Sequence, residues 1–505
     1  MNKLEQLQKL NKFVNSKDYL NHKPLKLDIV LKKDKTIFYQ SISQVFDDLK
    51  IQDGMTISFH HHLRNGDYVL NLVLEEIKRR NLKDIHLAPS AIFSIHEPLV
   101  ELIKNGNIIN ISTSYMQGPV SDVIQDGYLK GLLLMHTHGG RARAIEQGDL
   151  NIDVAFLASP QVDKTGNGHG ANGKSACGTL GYAISDLEYA KKVVLATDEI
   201  VEELKDYDFD NKFVDAVLEV DRIGNPSGIV SGTTKITRDP IGLLIAKNTA
   251  TLLDEIGLIK PGFNMQTGAG GTSLAVAKFV KEIMILKNIE GHTAFGGITS
   301  FYVDMVKEGL FKNIYDVQCF DLESVKSYAN HKNKTHFLMS ASEYGNPYHK
   351  EVHVNSLDFV ILGATEIDLN FNVNATTDSF GKIIGGSGGH SDTAHGAKVS
   401  VITANLLRSR IPIIKKEVTT ITTPGEDIDI LVTERGIAIN PKRKDLIKQL
   451  KNSKLNILTI EELYNLAHQI AGVPNDLKIR DNKIIGGVIY RDGTLIDYLY
   501  QTIKW

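Results

Sequence analysis

The chain repeats itself, and the repeat constrains its architecture more than any other feature. Ile51–Phe59 reads IQDGMTISF and Ile259–Thr267 reads IKPGFNMQT, an offset of 208. Each has an Ile, two polar or turn residues, a Gly and then a strand-like run. Asp153–Asp163, DVAFLASPQVD, and Asp358–Asp368, DFVILGATEID, form a second pair at an offset of 205. Two pairs in the same order at nearly the same spacing point to two copies of one fold. A solenoid would repeat every 20 to 50 residues or so.

Each copy continues in the same way. After the strand comes a polar loop, then apolar residues at helical spacing: Val69, Leu70, Val73, Leu74 and Ile77 in the first copy, Leu274, Val276, Phe279, Val280 and Ile283 in the second. β-branched runs such as LLLMHTH, VVLAT, FVILGA, IPIIKK and IDILVT alternate with helical segments, which predicts α/β domains on parallel or mixed sheets. With 505 residues, 42% of them hydrophobic, the chain can bury a core in each copy. The expected division is a polar helical extension over 1–30, a first domain over 31–235 and a second over 236–505, parted at the Gly- and Thr-rich SGTTKITRDP. The extension reads equally as a solvated tail or as a docking arm for a partner subunit.

A net charge of −3 with no basic block gives no footing to nucleic-acid or anionic-membrane binding. No apolar run reaches the roughly 18 residues of a membrane span, and the N-terminus carries no signal-peptide core. Cys177 and Cys319 are far apart and outside any CxxC pattern. They read as small buried residues in a reduced, cytoplasmic protein.

Two Gly-rich loops invite a ligand. Thr267-Gly-Ala-Gly-Gly-Thr-Ser273 lies between a strand and a helix, where backbone N–H groups and the helix N-terminus favour an anion; Thr272 or Ser273 could be its N-cap. It is neither a Walker A loop nor a full GxGxxG fingerprint. Gly385-Gly-Ser-Gly-Gly-His-Ser-Asp392 packs four glycines into five residues, followed by His390, Asp392, His395 and Lys398. Such a nest beside polar groups suits an oxyanion or thioester site. Gly166–Gly173 is the equivalent in the first copy.

The offset also explains Ser58–Asp67, SFHHHLRNGD. His60, His61 and His62 align with Gly268–Gly270, so they occupy the loop after the first strand of the first domain. Consecutive residues of an extended loop point in alternating directions and do not readily share one metal. An anion pocket suits them better: Arg64 can grip a carboxylate bidentately, and the histidines and Asn65 can donate hydrogen bonds.

The order SFHHHLRNGD, MHTHGGRARA, DVAFLASPQVDKTGNGHG, QTGAGGTSLAV, GGSGGHSDTAHGAK, ILVTERGIAINP resembles the citrate lyase alpha subunit family over nearly the whole chain, and its last three motifs resemble, more loosely, the coenzyme A transferase superfamily. The resemblance implies two tandem coenzyme A transferase-like α/β domains. It implies exchange of acetate for citrate on the phosphopantetheine-type arm of an acyl carrier protein (the gamma subunit), with a beta subunit cleaving the citryl thioester. This chain would then need no cofactor of its own, and acetyl-coenzyme A could stand in for the carrier. Citrate would be held by His60, His61, His62, Arg64, Asn65, Arg141, Arg143 and His390. Gly388 and Gly389 would donate to the oxyanion, and the arm's phosphates would lie near Gly268, Gly270, Gly271 and Thr272. No metal is implied, and a hetero-oligomer is expected. Many coenzyme A transferases carry a nucleophilic Glu near the start of a helix in the second domain. Here Gly296–Asp304 offers Ser300 and Asp304 instead, which favours direct transfer over a glutamyl thioester. Glu434, in VTERG, is a second catalytic candidate; its plainer reading is a strand-end carboxylate bound to Arg435 or an N–H.

Two other readings are an acyl-coenzyme A:carboxylate transferase using free thioesters and a non-catalytic binding or scaffold subunit. The cationic HHHLRN loop speaks against the first, and the two Gly loops against the second.

Overall fold

The structure is a computed structural model and describes residues 2–21, 25–32, 35–60, 63–230, 235–268, 270–472 and 480–502. His61 and His62 therefore lie outside the described residues.

The first half builds strands β1 (Ile37–Tyr39), β2 (Thr56–Phe59), β3 (Ile85–Pro89), β4 (Ile108–Thr113), β5 (Leu133–Met135), β6 (Val154–Ala158), β7 (Lys192–Thr197) and β8 (Ala216–Glu219). The second builds β9 (Asn264–Thr267), β10 (Gly291–Ile298), β11 (Phe311–Cys319), β12 (His336–Leu338), β13 (Phe359–Gly363), β14 (Val399–Thr403), β15 (Ile430–Val432), β16 (Ile437–Ile439) and β17 (Ile457–Leu458). The first sheet runs β8-β7-β6-β2-β3-β4-β5 and the second β15-β14-β13-β9-β10-β11-β12, the same order in both. Strand β2 maps onto β9 at an offset of 208, and β6 onto β13 at 205, as the sequence repeat requires.

The repeat extends to side chains. Asp153 Oδ2 accepts from the Thr56 N–H at 2.8 Å, and Asp358 Oδ2 accepts from the Asn264 N–H at 2.9 Å. These aspartates satisfy a backbone donor at the start of each central strand, which would otherwise be left unpaired. Asp163 and Asp368 close matching turns through Thr165 and Asn167, and through Asn370 and Asn372.

Both sheets are covered on two faces, so their strands are apolar on both sides. Helix α2 (Val69–Arg80) lays Val69, Leu70, Val73, Leu74 and Ile77 on Ile57, Leu87 and Phe156, while α3 (His138–Glu146) covers Ala88, Ala155 and Leu157 from the other side. In the second half α4 (Gly271–Lys287) packs Val276 and Val280 on Met265 and Ile361. Shorter helices α5 (Ser300–Lys307) and α6 (His390–Gly396) follow.

Two expectations need correction. The C-terminal hairpin, β18 (Arg480–Ile489) and β19 (Leu495–Thr502), was placed within 236–505, yet β18 pairs in parallel with β5 and extends the first sheet. The N-terminal extension, with α1 (Lys3–Leu7), is not a solvated tail. Leu7 is buried against Leu132, Ile489 and Leu495, the Phe13 N–H donates to Leu495 O, and the Ser16 N–H donates to Glu426 Oε1. Burial of Leu7 and the hydrogen bonds made by the Phe13 and Ser16 N–H groups hold the segment across both halves. Among the described residues no helix is long and apolar enough to cross a membrane.

Candidate active site

In open parallel sheets, ligands bind beyond the carboxyl ends of the strands. Here the carboxyl ends of both sheets face one another. The bridge between Thr137, after β5, and Gly388 ties the first half to the Gly loop of the second, with the His138 N–H donating to Gly388 O at 2.8 Å.

Arg64 leaves the loop after β2 in a left-handed conformation, φ 55°, a conformation that costs a non-glycine residue roughly 1–2 kcal/mol. Its guanidinium lies 4.5 Å from the ring centre of Phe320, which follows β11 in the other half, and 5.7 Å from Phe93. Its Nη1 is buried without a hydrogen-bond partner among the described residues. Burial lowers its pKa, though not enough to discharge a guanidinium near neutrality. An aromatic-stacked cation with an unused donor, at the junction of two halves, suits a carboxylate ligand. Neighbouring Asn65 is exposed, and its Oδ1 accepts from the Ile95 N–H. His60 is buried, with Nδ1 3.4 Å from Ser90 Oγ and its ring edge-on to Tyr182.

Sequence reasoning missed several residues of the cleft. His138 sits 4.3 Å from the Tyr182 ring, and burial together with Arg141 pushes its pKa down to about 3. It is therefore a neutral imidazole at pH 7, able to donate or accept a hydrogen bond without carrying charge. A β-carbon placed on Gly388, at φ 50°, would lie 3.2 Å from His138 Nε2, so glycine gives the backbone its left-handed turn and leaves the imidazole room. Gln266, at the end of β9, donates to the Tyr344 hydroxyl at 2.8 Å while its Oε1 has no partner among the described residues. A side chain on Gly389 would collide with that hydroxyl. Burial raises the phenols of Tyr182 and Tyr344 above their ordinary value, so both remain neutral hydroxyls. Asp392, fully buried, clamps the junction: Oδ1 accepts from Thr137 Oγ1 and Oδ2 from the Gly139 N–H, both at 2.9 Å, with Arg491 Nε 3.6 Å away. Burial raises its carboxyl to about 6. The signal for His138 was in the HTHGGR run, a polar loop directly after a strand.

Several expected site residues are committed elsewhere. Arg141 is buried and makes a bidentate pair with Asp186, at 2.7 and 2.8 Å, and a bond to Ala88 O. Arg143 binds Asp149 and Gln147 at the end of α3, away from Gly388. His390 donates from Nε2 to Gly363 O and takes the Thr423 hydroxyl on Nδ1, so neither ring nitrogen is available to a substrate. The Gly388 N–H donates to Ser114 O at 3.2 Å, whereas the Gly389 N–H has no backbone partner among the described residues. Glu434 accepts from the Leu406 N–H at 2.9 Å and lies 3.7 Å from Arg435. This is the strand-end carboxylate of the plainer reading.

Ser300 opens α5, its N–H donating to Asp321 Oδ2. It lines a cavity of about 1020 Å³ with Lys235, Arg238 and Lys278 rather than the Gly388 cleft. Gly268 donates to Ile361 O, and Gly270, rather than Thr272 or Ser273, is the N-cap of α4, with no side-chain cap bond. Beyond Gly268 and Gly270 an added β-carbon would meet nothing nearer than 3.5 Å, whereas at Gly271 it would press on Lys235 O. The first turn of α4 therefore presents an uncapped N-terminus beside open space, near the basic cavity.

Among the described residues one grouping could ligate a metal: Asp316, Cys319 and His336, all buried. Its members satisfy one another, Cys319 Sγ and His336 Nε2 both bonding Asp316 Oδ2 at 3.0 and 3.1 Å. Burial raises both cysteine thiols well above their usual value, so they are not thiolates.

Two like-ordered α/β halves meeting carboxyl end to carboxyl end, with a Gly loop and an unpaired cation between them, define a coenzyme A transferase-like protein. The citrate lyase alpha subunit (CitF) family model matches residues 35–502, and the chain belongs to that family. It is 44% identical over 462 residues to the citrate lyase alpha chain of Haemophilus influenzae, covering 91% of this chain and 92% of that one. A Streptococcus mutans chain described as the alpha subunit of citrate lyase, solved in complex with citrate, superposes with a TM-score of 0.91 at 43% identity over 96% of this chain and 94% of that one. The likeness to a Pseudomonas malonate decarboxylase hetero-tetramer is one of fold: 15% identity, TM-score 0.60, 88% of this chain and 84% of that one.

Proposed function

We propose that the chain is the transferase subunit of a citrate lyase, taking the carrier thiol from acetyl to citrate. The observation that carries this reading is Arg64: a guanidinium held between Phe93 and Phe320, across two halves, with Nη1 unpaired. One citrate carboxylate would bind there, with His60 close by and His61 and His62 on the same loop. The three acidic arms of citrate need more than one donor, which these histidines would supply.

In the reaction a second carboxylate oxygen attacks the acetyl thioester carbonyl. The carbon–sulfur bond breaks, the thiolate leaves, and a citric–acetic anhydride remains. The thiolate then attacks the citryl carbonyl and expels acetate. Neutral His138, the phenol of Tyr344 and the Gly389 N–H are the groups near Gly388 that could donate to the tetrahedral oxyanion; each such donor is worth several kcal/mol in a desolvated site. Direct transfer is favoured because the carboxylates at hand are engaged: Asp392 by Thr137 and Gly139, and Glu434 by Leu406. The carrier's arm would enter past the uncapped start of α4, its phosphates beside Lys235, Arg238 and Lys278. The gamma carrier and beta lyase subunits are the proposed partners, in a cytoplasmic hetero-oligomer.

The test is an exchange assay on the purified chain with acetyl carrier, or acetyl-coenzyme A in its place, and labelled citrate. Citrate-dependent acetate release with formation of citryl thioester supports the proposal. Release with acetate or butyrate as the better acceptor would favour the free-thioester transferase, and no release with carrier supplied would favour a scaffold.

A further inference from the structure

Apart from the candidate active site, a cavity of about 450 Å³ opens on the α3 side of the first sheet. It is lined by His86 on β3, Ser112 on β4 and His136 just after β5, by Arg143 of α3, and by Tyr348 and Asp492, the latter from the turn of the C-terminal hairpin. The N-terminal segment closes the rim with Lys9. Three distant parts of the chain thus converge on one polar hollow.

Among the described residues, the lining holds more hydrogen-bonding capacity than is used. His136 is 5% exposed, and neither ring nitrogen has a partner. Arg143 is 3% exposed; Nη1 binds Asp149 and Gln147, but Nε is unpaired. Asp492 is 8% exposed; Oδ1 takes the Thr494 N–H and hydroxyl, while Oδ2 has no partner. A buried polar atom left unsatisfied opposes folding, so four around one cavity call for an occupant. Their chemistry is mixed. Arg143 and an imidazole N–H want an acceptor; Asp492 Oδ2 and the second imidazole nitrogen want a donor. A plain dicarboxylate, which has no donor, would satisfy the first pair and leave the second bare.

We propose that this cavity is a binding site, separate from the transferase cleft, for a small carboxylate that also carries a hydrogen-bond donor. Its carboxylate pairs with Arg143 and His136, and its hydroxyl or ammonium group pairs with Asp492. The occupant would tie the N-terminal segment and the C-terminal hairpin to the strand ends of the first half.

Three acids of matched carbon skeleton separate the possibilities: L-malate, L-aspartate and succinate, which offer a hydroxyl, an ammonium and no donor. Binding of each labelled acid to the full chain is measured by equilibrium dialysis. Malate or aspartate is expected to bind at least about tenfold more tightly than succinate, and which of the two wins identifies the donor. Leu134, on β5, lines the cavity without a polar role. Leu134→Phe should abolish that binding while citrate exchange persists, which shows that the variant is folded. Arg64→Met, in the cleft, should leave it intact. The proposal is overturned if succinate binds as well as the other two, if Arg64→Met rather than Leu134→Phe removes binding, or if none of the acids binds below about 10 mM, the limit of roughly 3 kcal/mol.

Discussion

Replacing Arg64 by Met separates what the guanidinium does for the ligand from what it does for the fold. Met keeps the length of the side chain and can rest against Phe320 through its thioether. It also keeps the left-handed backbone at φ 55°, so the conformational cost is unchanged. What goes is a half-buried cation whose Nη1 has no partner. A charge-assisted hydrogen bond to a carboxylate is worth about 1.5–3 kcal/mol. Loss of about 2 kcal/mol of ground-state binding raises the KM for citrate roughly thirtyfold. The KM for the acetyl thioester should stay within about twofold, the spread expected of a site not touched. The unliganded protein should become more resistant to urea, because a desolvated charge without a counter-ion opposes folding. The assay is initial rates of exchange with citrate and thioester varied in turn, together with urea midpoints of both proteins without ligand. An unchanged citrate KM, or a midpoint that falls, would show that Arg64 is a structural residue and that citrate is held elsewhere.

Four further outcomes follow from the same geometry. Gly388→Ala should fold, at a cost of about 1–2 kcal/mol for its left-handed backbone, yet exchange far more slowly because the new methyl crowds His138; rates and urea midpoints together check this. Arg141→Met should destabilise by about 3–5 kcal/mol by leaving buried Asp186 unpaired, with no selective rise in citrate KM, whereas pairing it with Asp186→Leu should restore part of the loss. Glu434→Gln should exchange at near wild-type rate and lose about 1 kcal/mol through its weakened bond to the Leu406 N–H. Asp392 carries a carboxyl raised to about 6 by burial, so the folded state binds its proton more tightly than the unfolded one. Its ionisation therefore costs stability as pH rises from about 4 to 6, on the order of 3 kcal/mol in full; the stability difference between wild type and Asp392→Asn, followed by urea denaturation, should shift towards the variant across that window.

The two halves were legible because their signals are local. Strand β2 and its counterpart β9 announce themselves by a turn glycine followed by a strand-like run, and Asp153 and Asp358 recur at the offset of the second pair. His60 follows strand β2 for the same reason, while His61 and His62 lie outside the described residues. Side-chain commitments were not legible, because each partner arrives from far along the chain. Nothing near Arg141 reveals that Asp186, 45 residues on, takes both its terminal nitrogens. His390 is spent on Gly363 and Thr423, 27 and 33 residues away. Phe320, which completes the Arg64 site, belongs to the opposite half. The C-terminal hairpin crosses back to the first sheet for want of a partner strand beside β5, a requirement that sheet completion sets and no local pattern records.

Direct transfer between bound acids is the central claim, and the fate of one oxygen tests it. Citrate labelled with oxygen-18 in its carboxylates is mixed with acetyl carrier and excess enzyme for a single turnover, and the released acetate is analysed by mass spectrometry. If citrate itself attacks the thioester, the bridging oxygen of the anhydride leaves with acetate, and the acetate carries one oxygen-18. If an enzyme carboxylate attacks first, the oxygen in acetate comes from the protein, and acetate from the first turnover is unlabelled.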